Sequence, residues 1–341
     1  MKKVGIWNYY ESLNKENYLL FNKSAGIGDN LLEPFNKLYV EGKRYDIDFM
    51  TLDMVDNFST LDSVFFFDFP NMSNKYVKKV FSSNIKKYLI LFESELIKPD
   101  NWNLNNHKYF NKIFTWKDEL VDNKKYFKFN FAQEIPKTIN KKLSKKEKLC
   151  TLIAGNKKVN HPLELYSKRI KAIRWFGKNY PKDFDFYGIG WDEYRLENKY
   201  MNFLFKKSRL SKLFKPSFSS YKGKVDSKKE VLEKYKFAIC YENAKDISGY
   251  ITEKIFDCFF AGCIPVYWGA DNIIKHIPKE CFIDKREFDT YEELYHYIKN
   301  MSDEDYIKYL NNIENFLNSE KAYKFSSEFF VKTLIGTIID K

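Results

Sequence analysis

The amino-acid sequence predicts an α/β protein whose two lobes face each other across a cleft. Three observations carry that expectation. Apolar runs of strand length alternate with helix-like stretches along most of the chain. The alternation comes in two series, parted near residues 137–148 by a basic, apolar-poor stretch that follows Pro136. And 341 residues suffice for two domains that each bury a core.

In the first series the strand-like runs are residues 4–7, 45–49, 64–67, 88–92 and 113–116, with helical patterns at 31–40 and 75–81. The second begins with a strand at 149–154, a helix at 163–179 and a strand at 184–187. A strand–helix–strand unit follows at 236–270, then helical patterns at 291–300 and 303–316. The expected units are therefore 1–140 and 148–320, with 321–341 an apolar tail that packs back on a lobe.

The unit KFAICYENAKDISGYITEKIFDCFFAGCIPVYWGA, residues 236–270, is the most informative stretch. Residues 237–241 form a short apolar run suited to a strand buried on both faces, as parallel sheets require. The polar segment 242–249 then leaves the sheet. From Ile251 the spacing turns helical: Ile251, Ile255, Cys258 and Phe259 recur on one face, while Glu253, Lys254 and Asp257 point elsewhere. Thr252 is the expected N-cap and Gly262 the expected C′ residue, after which 264–268 starts the next strand with Pro265 near its beginning. In such crossovers ligands sit beyond the carboxyl ends of the strands, where free amides and the helix dipole favour anions. Tyr250, Glu253 and Lys254 fall at that end. A carboxylate there can accept hydrogen bonds from a ribose diol, an ammonium can neutralise a diphosphate, and a tyrosine can pack against a sugar or base. On spacing alone, a surface Glu–Lys pair in a first helical turn explains the same residues.

Taken in order, Tyr235-Lys236-Phe237, Glu242-Asn243, Tyr250-Ile251-Thr252-Glu253-Lys254 and Ile264-Pro265-Val266-Tyr267-Trp268-Gly269 resemble the signature of the α-1,3-fucosyltransferases, glycosyltransferase family 10. The chain departs from it at Tyr241, where the family usually has Phe, and at Ala244, which replaces Ser or Thr. The resemblance implies the GT-B architecture: two Rossmann-like lobes, the first binding the acceptor and the second GDP-fucose. It also implies transfer of L-fucose, with inversion, to a GlcNAc hydroxyl of an oligosaccharide such as N-acetyllactosamine in α-1,3 linkage.

That reaction needs a base for the acceptor proton and positive charge for the departing diphosphate. Metal-dependent transferases hold a cation with an Asp-x-Asp motif. Here Asp46-Ile47-Asp48 lies in an alternating strand pattern, with both carboxylates expected on the polar side, and Asp183-Phe184-Asp185 leads into a strand in the same way. His107, His161, His276 and His296 lack metal-ligand spacing. No metal or cofactor is expected to be required, a divalent cation being at most stimulatory. Fixed cations are expected instead. One is Lys254, and the other, implied by the resemblance, is Arg169 in the helix after the first strand of the nucleotide lobe, with Arg174 its rival. A charge at about 4 Å is worth roughly 4 kcal/mol at an effective dielectric of about 20. The resemblance places the base in a short Glu-containing motif after a first-lobe strand, here Leu91-Phe92-Glu93-Ser94-Glu95-Leu96, so Glu93 and Glu95 are both candidates. Glu242 and Asn243 are expected to contact fucose or diphosphate. Gly188-Ile189-Gly190-Trp191 resembles a family segment in the nucleotide lobe, although a tight turn explains its glycines equally well. Gly26-Ile27-Gly28-Asp29 is too short for a phosphate loop.

The net charge of +12 favours anionic partners: nucleotide sugars, acidic membrane surfaces or nucleic acid. No zinc-finger or RNA-recognition-motif spacing is present, and nucleic acid is not the expected partner. Residues 203–218 interleave Phe205, Leu210, Leu213 and Phe214 with lysines, which reads as solvated surface or as an interfacial helix making peripheral membrane contact. The 25 Tyr and 32 Phe are too many for the surface, so many must be core. Five cysteines without a C-x-x-C pair point to a reducing compartment. No stretch reaches the roughly 18 apolar residues of a membrane span. The expected location is cytoplasmic, peripheral at the inner face of a membrane. Two further readings stay open: the same fold with an α-1,4 linkage or another nucleotide sugar, and a basic nucleic-acid or membrane-surface protein without activity.

Overall fold

The computed structural model describes residues 1–23, 30–192 and 218–339. Within them lie two all-parallel sheets. The first has six strands in the order β2-β1-β3-β4-β5-β6: β1 (Lys2–Asn8), β2 (Ile47–Thr51), β3 (Leu61–Phe67), β4 (Lys86–Leu91), β5 (Lys112–Thr115) and β6 (Tyr126–Lys128). The second has five in the order β11-β10-β9-β7-β8: β7 (Lys148–Ile153), β8 (Phe184–Tyr187), β9 (Tyr235–Tyr241), β10 (Ile264–Trp268) and β11 (Ile283–Asp284). In each sheet the strand order changes direction beside the lobe's first strand. That opens a crevice at the carboxyl ends, between β1 and β3 in one lobe and between β7 and β9 in the other.

The aromatic wealth fills the faces of these sheets. Phe65 and Phe67 of β3 turn to one side, against the helix Glu33–Arg44, while Phe66 turns to the other with Val77 and Val80 of the helix Lys75–Phe81. The C-terminal helix Ser327–Ile339 completes the first of these cores with Phe330, Leu334 and Ile335, and the Lys2 ammonium donates to the Ile338 carbonyl at 2.8 Å. The tail thus crosses from the second lobe to the first. It runs beside the outgoing linker, where the Gln133 amide donates to the Phe325 carbonyl and the Ser327 amide to the Gln133 carbonyl.

Some boundaries differ from expectation for local reasons. The first long helix runs on to Arg44, and Asp46, at φ 57°, turns the chain, so β2 starts at Ile47 and Tyr45 is exposed. The linker ends one residue earlier than expected, because Lys148 already pairs with Tyr235. Strands β6 and β11 escaped sequence reading because they are only three and two residues long. Asp185 is also placed differently: instead of facing a polar side it is buried within β8, 2.6 Å from the Lys148 ammonium and 2.7 Å from the Tyr235 hydroxyl. Asp46 pairs with the N-terminal ammonium and Asp48 with Lys43. All five cysteines are buried and unbonded. Among the described residues no helix is long and apolar enough to cross a membrane. Residues 203–217 of the basic aromatic stretch and Gly26-Ile27-Gly28-Asp29 lie outside the described residues.

Candidate active site

The chemistry of the second lobe is set by how β9 hands over to the helix Glu253–Phe260. Thr252 caps that helix, its hydroxyl accepting from the Lys254 amide at 3.5 Å, and Ile255, Phe256, Cys258 and Phe259 are buried against the sheet. The apolar face therefore points inward. Glu253 and Lys254 are left on the first turn, facing the crevice, and the helix stops just before Gly262.

Glu242, the first residue after β9, is fully buried. One of its oxygens accepts from the Thr252 amide at 2.8 Å and the other from the Thr252 hydroxyl at 2.7 Å, with the Lys254 ammonium 3.3 Å away. Both oxygens are occupied by protein. The expectation that Glu242 touches fucose or diphosphate is therefore replaced by a positioning role. Burial by itself would drive the Lys254 ammonium down, but Glu253 and Glu242 outweigh it and hold the amine protonated. Burial likewise opposes ionisation of Glu253, yet Lys254 and Lys228 prevail and keep its carboxyl at about 2. Lys228 itself pairs with Asp257 at 2.7 Å.

Arg169 projects from the helix Tyr166–Asn179 into the same crevice and is only 5% exposed. Its guanidinium donates to the Tyr241 carbonyl at 2.6 Å and to the Asn243 side-chain oxygen at 3.1 Å. Burial lowers its pKa, while Tyr166 and Glu242 oppose the shift. Arg174 on the same helix is exposed, whereas Arg169 is held at the end of β9. Tyr250 lies elsewhere than expected: its ring is 1% exposed and packs 4.9 Å from Trp116 of the first lobe, centroid to centroid. It joins the lobes and offers no free face to a sugar or base. Asn243 links the two groups, accepting from Arg169 and donating to the Tyr250 hydroxyl at 3.5 Å.

From the first lobe, Glu93 enters directly after β4. Its carboxylate accepts from the Tyr9 hydroxyl at 3.3 Å. Burial raises its pKa, the Lys254 charge pulls it back and the Glu253 charge pushes it up again. Those two charges come from the opposite lobe, so the Glu93 carboxylate lies within electrostatic range of the Glu253–Lys254 turn. Glu95 is half-buried and makes no hydrogen bond or ion pair among the described residues.

Comparison with known proteins bears on this arrangement. Residues 189–332 match the model of Glycosyltransferase family 10 (fucosyltransferase) C-term. The second lobe is thus similar, over those residues, to the C-terminal region of that family. The Alpha-(1,3)-fucosyltransferase FucT of Helicobacter pylori is 37% identical over 91 residues, covering 27% of this chain and 17% of that protein. An Alpha-(1,4)-fucosyltransferase of Arabidopsis thaliana is 36% identical over 70 residues, covering 20% and 17%. The chain thus spans well under two thirds of these curated relatives. An α1,3-fucosyltransferase crystal structure with GDP-fucose superposes with a TM-score of 0.53 at 18% identity, over 100% of this chain and 90% of that one. Anabaena Alr3699/HepE with UDP-glucose gives 0.58 at 9% identity over 100% of both chains. The fold is GT-B.

Beside residues 235–269, the structure adds residues that sequence reading passed over. Asp68, after β3, is buried and accepts from the Phe92 and Glu93 amides and the Asn101 side chain, all through one oxygen. Burial and the nearby Glu93 charge push its carboxyl up to about 7. It holds the backbone from which Glu93 projects. At the lobe junction Asp118 accepts from the Lys128 ammonium at 2.6 Å and from the Asn272 amide at 2.7 Å, with His276 Nε2 2.8 Å away. Asn272 in turn accepts from the Gly249 amide, next to Tyr250 in the loop between β9 and the helix Glu253–Phe260. A Cβ on Gly249, at φ 80°, would stand 2.2 Å from the Trp116 carbonyl, so glycine permits this approach of the lobes. In the GIGW segment, a Cβ on Gly188 would meet the Ala154 carbonyl at 1.9 Å. None of these roles leaves a motif in the sequence, because each depends on a partner from another element. Among the described residues no group of three His, Cys, Asp or Glu side chains is placed to hold a metal ion.

Proposed function

We propose that this chain is an inverting fucosyltransferase that moves L-fucose from GDP-fucose to a GlcNAc hydroxyl of an oligosaccharide such as N-acetyllactosamine, in α-1,3 linkage. One observation carries the reading: a half-buried carboxylate of the first lobe, Glu93, bonded to Tyr9, lies within electrostatic range of a second-lobe helix turn that presents a protonated lysine held on Glu242 and an ionised carboxylate, Lys254 and Glu253. The fucosyltransferase relatives of the second lobe supply the donor class.

In this mechanism the Glu93 carboxylate takes the proton of the acceptor hydroxyl as that oxygen attacks the anomeric carbon of fucose. The carbon–oxygen bond to the diphosphate breaks on the opposite side, which inverts the configuration. Lys254 and Arg169 neutralise the charge that gathers on the leaving diphosphate, a form of preorganised stabilisation. Glu253, ionised, accepts from the ribose hydroxyls. Glu93's raised pKa makes it a stronger base near neutral pH than an ordinary carboxylate. The two fixed cations are proposed to do without a required divalent ion, and the enzyme to act in the cytoplasm, peripheral at the inner face of a membrane.

The test is GDP release from GDP-fucose by the purified chain, with and without Galβ1-4GlcNAc. Release should rise with acceptor and persist in EDTA, and the product should carry an α-1,3-linked fucose by NMR. Absence of acceptor-dependent release would defeat the proposal, and loss of release in EDTA would remove its metal-independent part.

A further inference from the structure

We infer that Tyr10 is the platform on which the acceptor sugar stacks, with Tyr9 positioning the Glu93 carboxylate beneath it. This rests on the fucosyltransferase reading and names a part of the acceptor site. Tyr9 and Tyr10 follow β1 directly, at the crevice between β1 and β3 where the first sheet changes direction. The backbone there is built to hold still. The Asn8 amide donates to the Asn14 side chain and the Asn14 side chain donates back to the Asn8 carbonyl, both at 2.8 Å, while Asn14 is 1% exposed. The Tyr10 amide donates to the Asn8 side chain at 2.9 Å and the Tyr9 amide to the Phe67 carbonyl at 3.1 Å.

Within this clamp the two tyrosines differ. The Tyr9 ring lies 4.0 Å from that of Tyr10 and 5.0 Å from the Lys98 ammonium, and its hydroxyl donates to Glu93. Burial pushes the Tyr9 phenol up and Glu93 adds to it, so it remains a donor. Tyr9 is therefore committed to the base. Tyr10, its ring tilted 38° to that of Tyr9, is 51% exposed. Burial raises its phenol too, Tyr9 pulls it back, and the Glu93 and Asp68 carboxylates push it up further, which puts the ring in the field of the base. A rigid, half-exposed aromatic face beside a catalytic carboxylate matches a pyranose ring, which presents one face of C–H groups and a rim of hydroxyls. A tyrosine supplies that contact area with few rotamers to freeze.

The experiment measures fucose transfer by the full chain, varying donor and acceptor separately. Tyr10→Ala should raise the acceptor KM about tenfold, with a much smaller change in the GDP-fucose KM. Tyr10→Trp should restore the acceptor KM. Tyr9→Phe should lower kcat and move the acid limb of its pH profile to higher pH, since Tyr9 stabilises the ionised form of Glu93. An unchanged acceptor KM in Tyr10→Ala, or donor and acceptor KM rising together, would overturn the platform while leaving the transferase reading intact. Absence of transfer by the unmodified chain would overturn both.

Discussion

Glu93 and Glu95 are chemically identical and two positions apart, and their surroundings separate them. Glu93 accepts from Tyr9, lies on backbone held by Asp68 and feels the charges of Lys254 and Glu253. Glu95 has no such partners among the described residues. Glu93→Gln should retain GDP-fucose binding and lose about 100-fold in kcat, whereas Glu95→Gln should stay within about threefold. In the proposed role as base Glu93 works only when ionised, so kcat should rise with pH through its raised pKa, and Glu93→Gln should erase that limb. Equal, mild losses in both variants, read from initial rates across pH, would remove the assignment.

At the scale of the element, the helix Glu253–Phe260 does two jobs with its first turn. Its cap sets where Lys254 sits, and the buried Glu242 beneath offsets the positive end of the helix dipole and keeps Thr252 and Lys254 in place. A carboxylate that never reaches solvent thus governs a cation that does. Glu242→Gln keeps an acceptor for the Thr252 amide but turns the other acceptor into a donor facing the Thr252 hydroxyl and the Lys254 ammonium. The expected result is a GDP Kd raised about tenfold, with Lys254→Ala at least as damaging, measured by calorimetry with GDP. Unchanged affinity in both would put the nucleotide elsewhere.

For the whole molecule, the geometry of the cleft depends on how the lobes are tied. Tyr250 packs on Trp116, Gly249 approaches its carbonyl, and Asp118 binds Lys128, Asn272 and His276. Burial works against the Asp118 charge, but the His276 and Lys128 hydrogen bonds prevail and hold the carboxyl well below its usual range. A depressed folded-state pKa means that this stabilisation is present above the unfolded pKa and is lost as pH falls through the folded one. Asp118→Ala should therefore cost about 2 kcal/mol of unfolding free energy at pH 7 and less in strong acid, with a parallel rise in GDP-fucose KM. Urea unfolding at both pH values checks the stability term, and an equal cost at both would remove the ionised carboxylate from the account.

Much of this was legible from the sequence. The two α/β series follow from apolar runs whose period and length leave few other folds, and the cap, helix face and end of the signature helix follow from local propensity. Lys254, Glu253 and Arg169 were legible because an ordered run of residue types, or a place after a strand, marks them. Tertiary structure decided what each group faces. It buried Glu242 and Tyr250, which their place in the signature had set against ligand, and it gave Glu93 and Arg169 partners that Glu95 and Arg174 lack among the described residues. It also brought Asp68, Asp118 and Tyr9 to partners far along the chain. Local patterns record which way a backbone turns and which face is apolar. The burial and charge around a side chain are sums over neighbours from other elements, and those exist only once the lobes have packed.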